Sequence, residues 1–265
     1  TNTTVDVNHC GACGRVCTAA QACSAGSCVA RCPAGMQFIP AGMFLMGDSD
    51  TALPVHGVQL SAFCMETTEV TLAAYRTCVS AGTCSPAESG ANCTWGISGR
   101  DNHPINCVDW NQARNYCIRQ RGGDLPTEAQ WEYAARGTDG RIYPWGNTAP
   151  GSQACWNRNR PADGGTMVQG TCPVGSYPGG NSPFGLFDMA GGLYEWTADW
   201  YGPYSGNTGS YVLNPAGPSS GTYRVLRGGA WSDAATIYVR PSYRSFFYPV
   251  SLTSNTGFRC ARPAL

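Results

Sequence analysis

The sequence predicts an α+β fold that is rich in loops and carries a small disulfide-rich module at its N-terminus. Six cysteines fall within the first 32 residues, which hold almost no large apolar side chain. Three helix-start signals follow between residues 71 and 137. No comparable signal follows them, and many of the chain's 34 glycines and 18 prolines favour turns there. We therefore divide the chain into a cysteine-rich module, residues 1–33, and one larger domain, residues 36–265.

Charge and hydropathy argue against two classes of function. The 17 negative side chains are balanced by 17 positive ones, all arginine, because the sequence contains no lysine. Nucleic-acid binding depends on basic surfaces, so no nucleic-acid partner is expected. No apolar run approaches the ~20 residues of a membrane helix, so no transmembrane segment is expected.

The fifteen cysteines indicate an oxidising compartment. A module of about 30 residues is too small for a hydrophobic core and is usually held by disulfides, so we expect three within it. The alternative is a metal cluster, since Cys10 and Cys13 have a zinc-like spacing. Disulfides at this density favour a secreted, extracellular or cell-surface protein. The odd count leaves one thiol free or paired with another chain.

Local patterns predict the elements of the larger domain. Residues 36–48 predict a hairpin around a Pro-Ala-Gly turn, and residues 63–71 predict a strand. Thr71, Asp109 and Thr127 each precede a run suited to a helix, the last with a Thr-x-x-Gln capping box. Four cysteines are expected to close two local loops, as the pairs Cys78–Cys84 and Cys155–Cys172.

Eight segments in order resemble the formylglycine-generating enzyme (FGE) family, also called the sulfatase-modifying-factor family. They are "FIPAGMFLMGD", "ETTEVT", "HPINCVDWNQARNYC", "LPTEAQWEYAARG", "YPWGN", "FGLFDMAGGLYEWTADWY", "RVLRGGAWSD" and "NTGFRCAR". The resemblance implies the loop-rich FGE-sulfatase variant of the C-type-lectin-like fold for residues 36–265. It also implies that Cys64 pairs with Cys260, because that fold brings its first and last strands together.

The thiols that the best-known members of this family use for catalysis are missing here. The resemblance implies copper(I) held by two cysteine thiolates, which suit that soft ion, and oxidation of a substrate cysteine. The first thiol position falls at about Asp233 and the second within residues 236–239. No cysteine lies between Cys172 and Cys260. Copper is therefore not expected.

A calcium site is implied by the same resemblance. Its ligands would be the side chains of Asp188 and Glu195 and the carbonyls of Gly191 and Leu193. Oxygen ligands of this mixed origin are those that Ca²⁺ takes. The alternative is a pair of exposed loop acids, or Glu195 paired with an arginine.

A second family calcium site matches less well. The resemblance places its remaining ligands at Asn157, Arg158 and Val168. Thr166 stands where the family has an acidic ligand, so a charge is missing.

The segment that lacks the thiols offers aromatic and arginine side chains instead. The fold implied by the resemblance places it beside the substrate groove, where such residues suit contact with sugars or proteins. The alternative is that Tyr243 and Phe246 belong to the core and that Arg240, Arg244 and Arg259 bind carbonyls within the loops. The candidate binding residues are Asp233, Tyr238, Arg240, Tyr243, Arg244, Phe246, Phe247 and Tyr248.

Two hypotheses about function follow. The first is a secreted, non-catalytic binding or structural protein on an FGE-like scaffold, contacting glycans, protein partners or further copies of itself. The second is an oxidoreductase-type enzyme related to FGE with altered chemistry in the old groove. Turnover of a cysteine-bearing peptide with copper(I) would distinguish them.

Overall fold

The computed structural model describes residues 2–12, 14–157, 170–204 and 210–264. Within them, short strands and three α-helices alternate with long loops, which confirms the α+β class. The helices are α1 Leu72–Ser80, α2 Trp110–Arg121 and α3 Glu128–Arg136, and a 3-10 helix spans Pro178–Gly180. The strands are β1 Gln21–Ser24, β2 Ser27–Ala30, β3 Met36–Ile39, β4 Gly42–Asp48, β5 Ala52–Leu60, β6 Phe63–Glu66, β7 Tyr194–Trp200, β8 Val212–Leu213, β9 Arg224–Arg227, β10 Ser245–Phe247, β11 Thr256–Gly257 and β12 Ala261–Pro263.

The strands form four small sheets. The N-terminal sheet is β1-β2, and the other three have the orders β12-β6-β3, β4-β5-β8 and β10-β9-β7-β11. The last sheet mixes antiparallel pairs with the parallel pair of β11 and β7. No α-helix in the described parts of the chain is long and apolar enough to cross a membrane.

The N-terminal module is a hairpin held by disulfides. β1 and β2 turn at Ala25 and Gly26, which both have positive φ (48° and 77°). Glycine adopts that conformation without strain, so it suits the second turn position. The bridges within the module are Cys10–Cys23 and Cys17–Cys28.

The prediction of three disulfides inside the module is wrong. Cys32 pairs with Cys64 of β6 and so ties the module to the larger domain. The reason is position: Cys32 comes after β2 has ended, where the chain enters β3, and β3 pairs with β6. The remaining cysteine of the module, Cys13, lies outside the described residues.

The predicted hairpin over residues 36–48 is also wrong. β3 pairs with β6, and β4 pairs with β5, so the Pro-Ala-Gly turn joins two sheets rather than two partners. Tyr133 of α3 packs at this turn: a side-chain carbon on Gly42 would lie 2.2 Å from the Tyr133 hydroxyl oxygen. The strand predicted over residues 63–71 forms only in its first part, where β6 spans Phe63–Glu66.

The expected Cys64–Cys260 bridge is a further correction. β12 does lie beside β6, but the register sets Arg262, not Cys260, opposite Cys64. Cys64 bonds to Cys32, and Cys260 bonds to Cys117 of α2. The two local pairs, Cys78–Cys84 and Cys155–Cys172, are confirmed. Seven disulfides lie within the described residues, a number typical of an extracellular or otherwise non-cytosolic protein.

All three helix starts are confirmed. The Thr71 side chain accepts from the Ala74 amide, while Asp109 and Thr127 form complete capping boxes with glutamines three residues on. Such caps satisfy amide groups that the first helical turn leaves unpaired. Gly122 ends α2 in the left-handed conformation.

Two apolar cores position the last strands. One packs α1 and α2 against β7, and the other packs α3 against β4 and β5. Trp196 of β7 is fully buried and its indole nitrogen donates to the Val108 carbonyl (3.1 Å). β7 and β9 therefore form a fixed platform for the loops that follow them.

Candidate binding surface and metal site

The predicted binding segment lies on the connection between β9 and β10. Gly228 and Gly229 follow β9 with φ of 101° and 73°. A side-chain carbon on Gly229 would lie 2.6 Å from the Tyr238 carbonyl oxygen, so the connection packs closely on itself here. Residues 231–244 then lead to β10, which pairs with β9 in antiparallel register.

Asp233 stabilises the turn that contains it. Its carboxylate accepts hydrogen bonds from the Ala230 amide (2.9 Å) and from the Tyr194 hydroxyl. Its carbonyl accepts from the Asn157 amide (2.8 Å). Burial raises the pKa of Asp233. The residue at the expected first thiol position thus has a local structural role.

We call four residues of this connection, Asp233, Tyr238, Arg240 and Tyr243, the loop cluster. Arg240 Nη1 donates to Asp50 Oδ2 (2.8 Å), and the Asp50 side chain is 60% exposed. The rings of Tyr238 and Tyr243 pack edge to face with centroids 5.1 Å apart. Solvent therefore reaches one ring of the cluster, that of Tyr238, and the ion pair between Arg240 and Asp50.

Arg244 lies inside the fold. Its Nε and Nη2 donate to the two carboxylate oxygens of Glu128 (2.6 and 2.9 Å). Its guanidinium also lies over the rings of Tyr201 and Tyr204, 4.7 and 4.0 Å from their centroids. Nη1 donates to the Gly202 carbonyl (2.9 Å). Arg244 therefore has a structural role in the interior of the domain.

Residues 246–248, in and just after β10, alternate between the core and the surface. Phe247 packs against the core that contains β7. Phe246 and Tyr248 point the other way and are 40% and 53% exposed. The period of two along a strand explains this division.

Phe246 and Tyr248 belong to a row of four rings. The centroid distances are 4.4 Å from Tyr201 to Phe246, 4.8 Å from Phe246 to Tyr223 and 4.6 Å from Tyr223 to Tyr248. The hydroxyl oxygens of Tyr223 and Tyr248 are 3.2 Å apart. We call these four residues the aromatic ladder.

An arginine between two tryptophans supports the strand that carries the ladder. The Arg224 guanidinium lies 3.7 Å from the Trp110 ring centroid and 3.5 Å from that of Trp200. Burial, followed by the charge of Arg114, lowers the pKa of Arg224 to about 10. Such cation–π contacts are stronger where water is excluded.

Sequence reasoning missed two members of the ladder, Tyr201 and Tyr223. Their signal lies in the pairing of strands: Arg224 stands opposite Phe247, so Tyr223 extends the ladder opposite Tyr248. Tyr201 follows the last residue of β7, and its amide donates to the Tyr223 carbonyl (2.8 Å). Without the register, neither tyrosine is distinguishable from other loop aromatics.

Glu195, a proposed calcium ligand, is fully buried and strongly hydrogen-bonded. Arg259 donates to both of its oxygens, from Nε (2.8 Å) and from Nη2 (2.7 Å). The Trp131 indole nitrogen donates to Oε2 as well (2.8 Å). The charge of Glu195 is thus compensated by Arg259.

Asp188 and a residue that sequence reasoning missed, Glu69, are less well compensated. Glu69 Oε1 accepts from the Leu193 amide (2.8 Å), and Asp188 accepts from the Gly175 amide (2.7 Å). Burial, followed by the charge of Asp188, raises the pKa of Glu69 well above its usual range. Burial also raises the pKa of Asp188. In the sequence, Glu69 is recognisable only as an acidic residue of "ETTEVT", next to the apolar Val70.

The oxygen atoms of Glu69, Asp188 and Glu195 do not all lie within 4.8 Å of one another, so these acids do not form a preformed metal site. The carboxylates of Glu69 and Glu195, which are buried, and of Asp188, which is partly buried, lie near one arginine, Arg259, so negative charge is in excess. Gly191 and Gly192 follow with positive φ (77° and 71°), which lets successive peptide groups turn. Oxygen donors with excess negative charge are the donor set of Ca²⁺. Of the second calcium site, only Asn157 is described; Arg158, Thr166 and Val168 lie outside the described residues.

The cysteines nearest to the loop cluster form a disulfide. Cys155 and Cys172 are bonded to each other and pack beside Trp231, the aromatic residue that follows the Gly-Gly-Ala turn. The Cys172 sulfur lies 3.3 Å from the Tyr177 hydroxyl oxygen. The connection from β9 to β10 itself contains no cysteine.

Short sheets held by disulfides and buried arginine–carboxylate pairs, with loops presented beyond the last strands, define a C-type-lectin-like domain of the loop-rich kind. The chain belongs to the sulfatase-modifying factor enzyme 1-like domain family, whose match covers residues 24–264.

Relatives within this family differ in what their names say of activity. The formylglycine-generating enzyme of Streptomyces coelicolor is 36% identical over 288 aligned positions, covering 87% of this chain and 90% of that protein. Inactive C-alpha-formylglycine-generating enzyme 2 of Mus musculus is 39% identical over 171 positions, covering 61% and 45%. Among solved structures, Treponema denticola variable protein 1 superimposes with a TM-score of 0.66 at 25% identity, covering 86% and 94%.

Proposed function

We propose that this chain is a secreted, non-catalytic carbohydrate-binding protein whose contact surface is the aromatic ladder. The observation that carries the proposal is the row of rings at 4.4 to 4.8 Å spacing across the ends of β7, β9 and β10. Aromatic rings stack on the apolar face of a sugar ring, and tyrosine hydroxyls bond to its hydroxyl groups. A row of rings suits a chain of sugars better than a single one.

Exposure and rigidity support this assignment. Phe246 and Tyr248 leave 40% and 53% of their surface in solvent, although an isolated domain gains nothing by exposing them. The Arg244 guanidinium packs on the Tyr201 ring and restricts its movement. A surface that is rigid before binding loses little conformational entropy when a ligand arrives.

The missing thiols favour binding over the copper chemistry of the family. The positions expected for them hold Asp233 and residues 236–239, and Asp233 is used in its own turn. The fourteen described cysteines all form disulfides, so none of them supplies a thiolate. Oxygen consumption with copper(I) and a cysteine-bearing peptide would contradict the non-catalytic assignment.

We also propose a structural calcium ion at the side chains of Asp188 and Glu195 and the carbonyls of Gly191 and Leu193. The excess of carboxylate over arginine supports it, because an added divalent cation would offset the repulsion between Asp188 and Glu69. The ion would stabilise the loop that precedes β7.

Binding to insoluble polysaccharides of different linkage, measured by depletion from solution, tests the carbohydrate proposal. We expect the double variant Phe246→Ala, Tyr248→Ala to lose roughly tenfold or more in affinity, since each stacking residue contributes on the order of 1 kcal/mol. Tyr211→Ala is the matched control, because Tyr211 is 49% exposed and lies outside the ladder. Equal retention of the double variant and the wild type would refute the role of the ladder.

Other outcomes distinguish other partners. If no polysaccharide is bound but the wild type self-associates and the double variant does not, the ladder is a protein interface and the carbohydrate assignment fails. Melting temperatures of all variants must stay near that of the wild type for the comparison to hold.

A further inference from the structure

A cavity of about 320 Å³ lies between the start of α3, the β4–β5 hairpin and the loop that follows β7. None of its lining residues belongs to the aromatic ladder or to the loop cluster. Its apolar walls include Met46, Ala129, Val212, Pro215 and Pro218. Its polar lining groups belong to His56, Glu128, Asp199, Tyr204 and Arg244. The volume is at the lower end of the range for small-molecule sites.

Glu128 is not available to a ligand. Arg244 donates to both of its oxygens, and Arg227 Nε lies 3.1 Å from Oε1. Arg227 also pairs with Glu132. The arginines near the cavity are therefore matched to Glu128 and Glu132, which leaves them no capacity for an incoming anion.

Asp199 is the carboxyl group without a matched cation. Its Oδ2 accepts from the Glu128 amide (2.7 Å), and no hydrogen bond to its Oδ1 occurs within the described parts of the chain. Asp199 is 4% exposed. Gly217 has φ of 67° and packs on Asp199 Oδ1. A side-chain carbon placed on Gly217 would lie 2.9 Å from that oxygen. A larger residue there would close off this oxygen.

His56 supplies a second acceptor on the cavity wall. Its Nδ1 lies 2.9 Å from the Pro54 carbonyl oxygen, which can only accept, so Nδ1 carries the proton. In the neutral ring the lone pair is then on Nε2. The ring packs on Tyr204, with centroids 4.6 Å apart.

We propose that this cavity binds a small organic amine, with its ammonium group on Asp199 and its carbon body against Met46, Val212 and the prolines. An ammonium group donates to acceptors, and the polar groups that remain available here are acceptors. The occupant does not come from a lysine of another copy, because the sequence has no lysine.

The electrostatics of Asp199 agree with this assignment. Burial, followed by the charge of Glu128, raises the pKa of Asp199 to about 7. A bound ammonium would supply the countercharge that the fold does not, and it would favour the ionised carboxyl. The charged and titratable groups around Asp199 are Glu128, Arg227, Arg244, Arg224, His56 and Tyr204.

The test compares three probes of one shape on the full chain by titration calorimetry. These are phenethylamine, its neutral analogue phenethyl alcohol and the anion hydrocinnamate. We expect the amine alone to bind with one-to-one stoichiometry, and more tightly at mildly alkaline than at mildly acidic pH. Binding of the alcohol or the anion as tightly as the amine would overturn the proposal, as would absence of amine binding.

Asp199→Asn tests the assigned carboxyl, because it keeps the acceptor for the Glu128 amide. Its affinity for phenethylamine should fall roughly tenfold or more, as for loss of a charge-assisted hydrogen bond. Val212→Phe fills the cavity from its other wall and should also abolish binding. Asp50→Asn is the control, since Asp50 pairs with Arg240 at the surface. Unchanged amine binding by folded Asp199→Asn would place the site elsewhere.

Discussion

The disulfide between Cys117 and Cys260 should contribute more to stability than the bridge between Cys78 and Cys84. The first joins residues 143 positions apart and the second joins residues 6 apart. A cross-link restricts the unfolded chain in proportion to the logarithm of the loop it closes. On that basis the bridges are worth about 5 and about 2 kcal/mol. The nested Cys155–Cys172 bridge spans only 17 positions, so it hardly shortens the long loop.

The two double variants to alanine allow a fair comparison. Cys117, Cys260 and Cys78 are fully buried, and Cys84 is 9% exposed, so each pair loses similar packing. Urea unfolding without reductant should give a free energy of unfolding about 3 kcal/mol lower for the long-loop variant than for the short-loop variant. An equal or larger loss from the short-loop variant would refute the reasoning. Non-reducing peptide mapping checks the pairs directly, and a peptide joined through Cys64 and Cys260 would contradict the structure.

Three further predictions concern the acidic residues Glu69, Asp188, Glu195 and Asp199. Asp188→Asn should abolish the rise in melting temperature on adding calcium, and Glu69→Gln should reduce it; an equal response in variant and wild type would remove calcium from this loop. Glu195→Gln should cost about 3 kcal/mol in urea unfolding even with a chelator present, because buried Arg259 loses the carboxylate to which two of its nitrogens donate; a loss below ~1 kcal/mol, as for exposed ion pairs, would contradict this. Asp199 has its pKa raised from 3.8 to about 7, so the stability it contributes is present below pH 3.8 and is lost as pH rises through about 7. Asp199→Asn should flatten that part of the pH profile of unfolding, and an unaltered profile would show that another group is responsible.

The parts of this fold that the sequence predicted are those determined by near neighbours in the chain. Thr71, Asp109 and Thr127 cap helices because their side chains accept from amides only three residues away. Cys78 and Cys84 pair because a helix end brings them together. In each case the energetic contact and the sequence pattern lie within the same few residues.

The parts that the sequence did not predict depend on which strands become neighbours. β3 has its partner in β6 rather than in β4, so the expected hairpin is absent and Cys32 meets Cys64. Tyr223 joins Tyr248 only through the register of β9 and β10. Glu69 approaches the Asp188 loop from a different part of the chain. The local sequence does not show which distant residues come into contact.

The bridge from Cys32 to Cys64 has a consequence for proteolysis. A cut anywhere between these two residues leaves both fragments covalently joined until a reductant is added. A cut in the short run between Cys28 and Cys32 is different, because Cys28 is bonded back to Cys17 within the hairpin. A trypsin-like protease acting after Arg31 would therefore shed the whole hairpin and leave the larger domain intact.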